Sequence, residues 1–303
     1  MKNALKKLWL YLSLLIFIGF STTSLYADDA HYKNMLIGER AATMGGSYVA
    51  ISDDSTGCYY NPAGIAYAVG DSLSGSGNVL HKMKTVYTEA IGTEDWIREN
   101  ESLVPNYFGV LKKYKDYSFC FSYVVPEAFI EHQDLVFNNP LSTVKKYYQS
   151  LHSEDITYLL GPSAAMQFGD SLSLGLTIYY HYRSFIRQYH YFLESTDGSY
   201  QLYYESRKLR EDGVMPKLGI QWSPWSMLTL GMAVDQALLV NSSFQGDASY
   251  HSTDNSTGTA SLLTTMTRSK SETKRKFPLH LAWGVSYFPT PSLLYTVDLD
   301  YYQ

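Results

Sequence analysis

The 303-residue chain is short of cysteine, short of charge and short of long apolar runs. It has two cysteines, which excludes a disulfide-stapled scaffold and leaves Cys58 with Cys120 as the only intrachain pair available. Charged residues make up 17% and aromatic residues 15%, the reverse of an intrinsically disordered composition. The longest apolar stretch, residues 8–20, stops well below the roughly 20 residues a spanning helix needs. What the chain has in quantity is aromatic side chains, with 28 Tyr, 13 Phe and 5 Trp. Those residue types favour half-buried pleated surfaces.

The N-terminus reads as an export signal. Lys2, Lys6 and Lys7 precede the apolar run 8–20, a polar stretch follows, and cleavage is expected after Ala27. Without residues 1–27 the balance is 21 basic to 29 acidic residues, a net charge of -8. That excludes a basic surface for nucleic acid.

Signatures of catalysis are missing. The eight histidines show no H-E-x-x-H spacing, and Gly75-Ser76-Gly77 lacks the lysine of a phosphate loop. His152-Ser153-Glu154-Asp155 has the letters of a hydrolase triad, but triad members converge in space rather than in sequence. No catalytic residue, cofactor or metal ligand is therefore expected.

From residue 72 onward the hydrophobic period is two. Leu172, Leu174, Leu176, Ile178 and Tyr180 alternate with Ser173, Gly175, Thr177, Tyr179 and His181. Leu279, Leu281, Trp283, Val285 and Tyr287 alternate with His280, Ala282, Gly284 and Ser286, and Tyr117, Phe119, Phe121 and Tyr123 with Ser118, Cys120 and Ser122. This is the pattern of antiparallel strands with one apolar face. The other face is rich in Gly, Ser, Thr and Ala, which suits a lumen better than a solvated surface. Nine strands are expected, near 72–84, 103–114, 116–128, 156–169, 171–186, 209–223, 226–240, 274–288 and 292–303. Tight turns join some of them, and long links at 85–102, 129–155, 187–208 and 241–273 join the others. Short and long connections alternate, as in an outer-membrane barrel with short periplasmic turns and long external loops. A closed barrel normally has an even strand count, so an all-β, antiparallel transmembrane β-barrel truncated at its C-terminus is expected.

Residues 38–66 break the alternation and read GERAATMGGSYVAISDDSTGCYYNPAGIA. Pro62 biases Asn61 away from helix, and Asp53 and Asp54 are suited to capping a turn. The pieces Gly38-Glu39-Arg40-Ala41, Met44-Gly45-Gly46, Ala50-Ile51-Ser52-Asp53-Asp54 and Tyr59-Tyr60-Asn61-Pro62-Ala63-Gly64 together resemble the N-terminal hatch of the FadL-like long-chain fatty acid transport family, which includes PorV-type relatives. The resemblance implies a signal peptide at 1–27, a lumenal plug at 28–70 and a partial barrel at 71–303, about nine of 14 strands. It further implies a monomer in outer-membrane lipid that takes up hydrophobic small molecules such as fatty acids. The hatch motif falls on Asn61, Pro62 and Ala63. Pro126 is a candidate wall kink, because a strand proline removes a ladder donor. Phe129, Ile130, Leu135, Val136 and Phe137 in the 129–155 link are candidates for an apolar loop groove. Other functions compatible with the sequence are a barrel serving protein secretion or surface attachment, and a structural surface protein. The Cys58 and Cys120 thiols are open to either a plug-to-wall disulfide or two free side chains.

Overall fold

A computed structural model describes residues 35–92, 94–255, 261–272 and 276–303; the expected signal segment lies outside them. From residue 72 the chain forms β1 (Ser72–Ile91), β2 (Glu94–Tyr114), β3 (Tyr117–Leu141), β4 (Val144–Phe168), β5 (Leu172–Ser195), β6 (Tyr200–Trp225), β7 (Leu228–Asp235), β8 (Leu238–Asp254), β9 (Ser261–Glu272), β10 (His280–Thr290) and β11 (Leu293–Tyr302). All pairings are antiparallel. The main sheet runs β1-β2-β3-β4-β5-β6-β7-β10-β11, with β8 pairing the far half of β6 and β9 pairing β8.

β7 and β8 follow one path along β6, broken only at Gln236-Ala237. β9 and β10 likewise return along that path. The eleven elements are therefore nine passages, the number expected from the alternation.

The expected long links are largely strand. β3 and β4 hold 25 residues each, roughly 80 Å of chain at about 3.3 Å per residue. A membrane needs only roughly 9–11. Pairing runs unbroken from Glu127↔Thr157 to Asn138↔Lys146 through the region expected to be loop. Backbone pairing needs no lipid-facing side chains, so the ladder continues where the apolar alternation has stopped.

The two faces are as the alternation demands. Phe119, Phe121, Leu174, Leu176, Ile178, Leu218, Ile220, Trp222, Val285 and Tyr287 are large, apolar and exposed on the outer face. Ser118, Ser122, Ser173, Thr177 and Ser286 are buried on the inner face.

Residues 35–70 account for that burial. They contain two short helices, α1 (Glu39–Thr43) and α2 (Gly57–Tyr60), and a 3₁₀ turn at Pro62–Tyr67. This plug packs on the inner face, with Tyr48, Tyr59 and Tyr60 joining Tyr107, Val124, Leu159 and Tyr179 of the wall in one core. The wall accommodates it with glycine. A Cβ at Gly175 would overlap the Pro62 backbone, one at Gly219 the Asn61 Oδ1, and one at Gly231 the Val49 carbonyl. Gly175 and Gly219 are register partners, as are Gly231 and Gly284.

Candidate functional site

Asn61, Pro62 and Ala63 sit where residues 35–70 meet the wall. Asn61 is fully buried. Its Nδ2 donates to the Val49 carbonyl at 2.8 Å within the plug and to the Ile220 carbonyl of β6 at 3.0 Å. Its Oδ1 accepts from the Ala63 N–H, closing the cap of the 3₁₀ turn that Pro62 begins. The wall adds bonds of its own: Ser173 donates to Ala63 O at 2.9 Å and Thr177 to Cys58 O at 3.0 Å. Asp298 of β11 accepts the Tyr48 and Val49 N–H groups at 2.6 and 2.8 Å. Asp54 accepts from the Thr56 N–H at 2.8 Å, which makes it a cap of the turn ahead of α2.

Cys58 and Cys120 are both free and lie in one buried cluster with Ile65 and Leu111. The Tyr60 oxygen accepts the Ile37 N–H, and burial pushes the Tyr60 phenol up to about 12. It therefore stays neutral inside the plug.

Above the plug lies a chamber of about 80 Å³. Tyr59 contributes from the plug side, and Pro126, Leu159, Met215, Phe277 and Pro278 supply apolar walls. Its polar wall is an ion-paired group: Lys217 Nζ lies 2.8 Å from Asp235, and His280 Nδ1 lies 2.9 Å from the same carboxylate. The Lys217 ammonium also stands over the Tyr59 ring at 5.1 Å. Three inward positions further from the tight turns, Arg183 pairs with Asp155 at 2.6 Å and with Glu211 at 3.3 Å. The chamber is smaller than the roughly 150 Å³ that admits a benzene ring.

The wall has a place to move. β2 and β3 pair only from Tyr114↔Tyr117 to Tyr107↔Val124. Beyond that point β2 pairs with β1 alone and β3 with β4 alone. Pro126 stands at a register shift between Val124 and Glu127, and Pro105 at another between Ser76 and Gly77 on the partner strand. Each proline removes a ladder donor where pairing ends.

The slit so formed is bounded by side chains and by the plug. Arg98 of β2 makes a two-pronged ion pair with the buried Glu131 of β3 across it. At its lower end the Met35 N–H donates to the Pro126 carbonyl at 3.1 Å, and Asn106 Nδ2 donates to the Leu36 carbonyl at 2.8 Å. Residues 35–36 thus stitch β3 to β2. At its upper end Gly92 and the Pro140 carbonyl are in such close contact that a Cβ would overlap.

Pro126 is buried inside β3 at a bulge. One placement differs from the sequence expectation. Phe129, Ile130, Leu135, Val136 and Phe137 do not form a loop groove, because they lie on paired strand. Strand alternation sends Phe129, Leu135 and Phe137 to one face and Ile130 and Val136 to the other. Pro105, Arg98, Glu131 and the Lys217–Asp235–His280 group were not singled out from the sequence. The signal available for Pro105 was the same one that marked Pro126, a proline within a strand.

An apolar-belted antiparallel sheet curled around an N-terminal plug defines the class: a transmembrane β-barrel of the outer-membrane type. No family model matches the sequence, and no curated protein matches it. Among solved structures, the CymD monoaromatic hydrocarbon channel is similar over 88% of this chain and 68% of its own, at 15% identity and a TM-score of 0.53. A TodX deltaS2S3 mutant monoaromatic hydrocarbon channel is similar over 82% of this chain and 66% of its own, at 11% identity and a TM-score of 0.60. The chain spans about two thirds of the length of these channels and shares their fold.

Proposed function

We propose that the protein is an outer-membrane channel for passive uptake of hydrophobic small molecules, with long-chain fatty acids and monoaromatic hydrocarbons as the candidate classes. The observation that carries this reading is the slit between β2 and β3 beside the Pro126 wall of the chamber. Tyr107 is seven residues from the tight turn at Tyr114. At roughly 3.3 Å per residue and a tilt of about 45°, that is a rise of about 16 Å. The slit therefore begins within the roughly 25 Å apolar band. Exposed Phe108, Val110 and Phe121 flank that level on the outer face.

On this reading a ligand enters from the tall-strand side, reaches the chamber above Tyr59 and leaves sideways into lipid. Two closures must yield. The Met35–Pro126 and Leu36–Asn106 bonds tie the slit to the plug, so displacement of the plug also frees the wall. The Arg98–Glu131 pair holds the upper part of the same slit. The test is uptake of labelled fatty acid and of labelled toluene by cells with and without the protein, and by cells carrying Asn61→Ala/Pro62→Ala. Uptake that needs the protein and changes in the variant supports the reading. Equal uptake with and without the gene rejects it.

A further inference from the structure

We propose that the exposed outer surface of the β3–β4 hairpin carries a binding site for a divalent transition metal of the zinc or copper class, formed by His132, His152 and Glu154. The cluster arises from register. His132 and His152 are directly opposed across the two strands, and Glu154 follows His152 by two positions on the same face. Sequence spacing alone hides it, because its first two members are 20 residues apart on different strands.

The ligand atoms already have the spacing of a coordination sphere. The two imidazole rings stack at 3.9 Å with a 17° interplanar angle, so one ring must turn to bring both in-plane Nε2 lone pairs onto one ion. Both Nε2 atoms lie 3.3 Å from the same carboxylate oxygen, Glu154 Oε1. All three ligand atoms fall within 4.8 Å of one another. A tetrahedral ion with bonds of about 2.0–2.1 Å holds its ligand atoms roughly 3.3 Å apart. Two imidazoles and one carboxylate suit zinc, copper or nickel, whereas magnesium and calcium favour all-oxygen sets. Three protein ligands leave a position for water.

The side chains are 51%, 41% and 36% exposed, so an ion reaches them directly from solvent. The strands that carry them are paired on both sides of the cluster, from Glu127↔Thr157 to Asn138↔Lys146. The backbone that carries the ligands is therefore already in place, and ring rotation completes the site. His132 also adjoins Glu131, whose carboxylate holds Arg98 across the slit. A bound ion would fasten β3 to β4 at that level. The metal site itself stands whether or not the channel reading does.

The experiment is a calorimetric titration of the untagged full chain in detergent with ZnCl₂, paired with electron paramagnetic resonance after CuCl₂ addition. The expected result is one saturable site per chain and a copper signal split by two nitrogens. Affinity should fall by at least about tenfold in His132→Ala and in His152→Ala. Both histidines are exposed on the hairpin, and retained heat-modifiable gel mobility shows that each variant is folded. Glu154→Gln should weaken zinc while leaving the two-nitrogen copper signal in place. Absence of saturable binding by the folded wild-type chain would overturn the proposal. So would binding that is unchanged in the His132→Ala/His152→Ala double variant. Neither readout depends on uptake, so failure of the channel reading leaves the outcome interpretable.

Discussion

Pro105 and Pro126 occupy matching positions on β2 and β3, each two residues beyond the last paired residues, Tyr107 and Val124. Neither can donate to a ladder, so both edges lose a donor at one level. The Pro126 carbonyl is instead taken by the Met35 N–H. Where the wall parts, the plug supplies the missing partner.

Restoring the donors should narrow the slit. In Pro105→Ala/Pro126→Ala, pairing between β2 and β3 is expected to extend past Val124. Uptake should fall severalfold while thermal stability holds or rises. Labelled-ligand uptake and the gel-shift melting temperature check this, and unchanged uptake would remove the slit from the route.

The ion pair above it should act as a latch. Glu131 is buried and also accepts from Gln133 Nε2 at 2.7 Å. Glu131→Gln removes the charge that holds Arg98, at a cost of about 1–3 kcal/mol. Hydrogen exchange should rise in residues 127–137 relative to β4 and β5, and uptake should quicken. Slower uptake with unchanged exchange would show that the pair has no closing role.

How far the sequence disclosed this depends on what each segment faces. Residues 171–182 and 279–287 lie between lipid and plug, so their side chains had to alternate and the strands were legible. Residues 129–155 have no lipid to satisfy. Their pairing survives in the backbone while the side-chain period fades, and they read as loop. Asn61, Pro62 and Ala63 were visible through the resemblance of residues 38–66 to a known segment, whereas the buried cap that Asn61 forms emerges only from the fold. Lys217, Asp235 and His280 were not, because single polar residues on three lumen faces meet only when the register is known. The His132–His152 pair was hidden for the same reason.

The seat of the plug should be sensitive to single methyl groups. Gly219→Ala places a Cβ onto Asn61 Oδ1, and Gly175→Ala places one onto the Pro62 backbone. Each should cost about 1–3 kcal/mol and loosen the plug without unfolding the wall. Limited proteolysis in detergent should release residues 35–70 sooner in both variants. Gly75→Ala, whose Cβ would meet only the Tyr107 carbonyl at an ordinary 3.8 Å, serves as the control.

Asn61→Ala should loosen the plug through lost bonds. The Val49 and Ile220 carbonyls each lose a donor, and the cap of the 3₁₀ turn opens. A cost of at least about 3 kcal/mol is expected, from roughly 1–3 for each buried group left unmatched. Asn61→Asp should not rescue, since it supplies no N–H donor when ionised. Plug cleavage rates equal to wild type would place the hold elsewhere.

The central claim is that hydrophobic molecules leave the chamber through the parted wall between β2 and β3. Its most direct test joins the slit's two edges reversibly. Arg98→Cys/Glu131→Cys, in a Cys58→Ala/Cys120→Ala background, is treated in cells with a reducible bifunctional thiol reagent, and uptake of labelled fatty acid and toluene is followed. The account predicts protein-dependent uptake that stops on cross-linking and returns on reduction. Uptake that continues unchanged through a complete cross-link, or that is equal in cells without the protein, would contradict it.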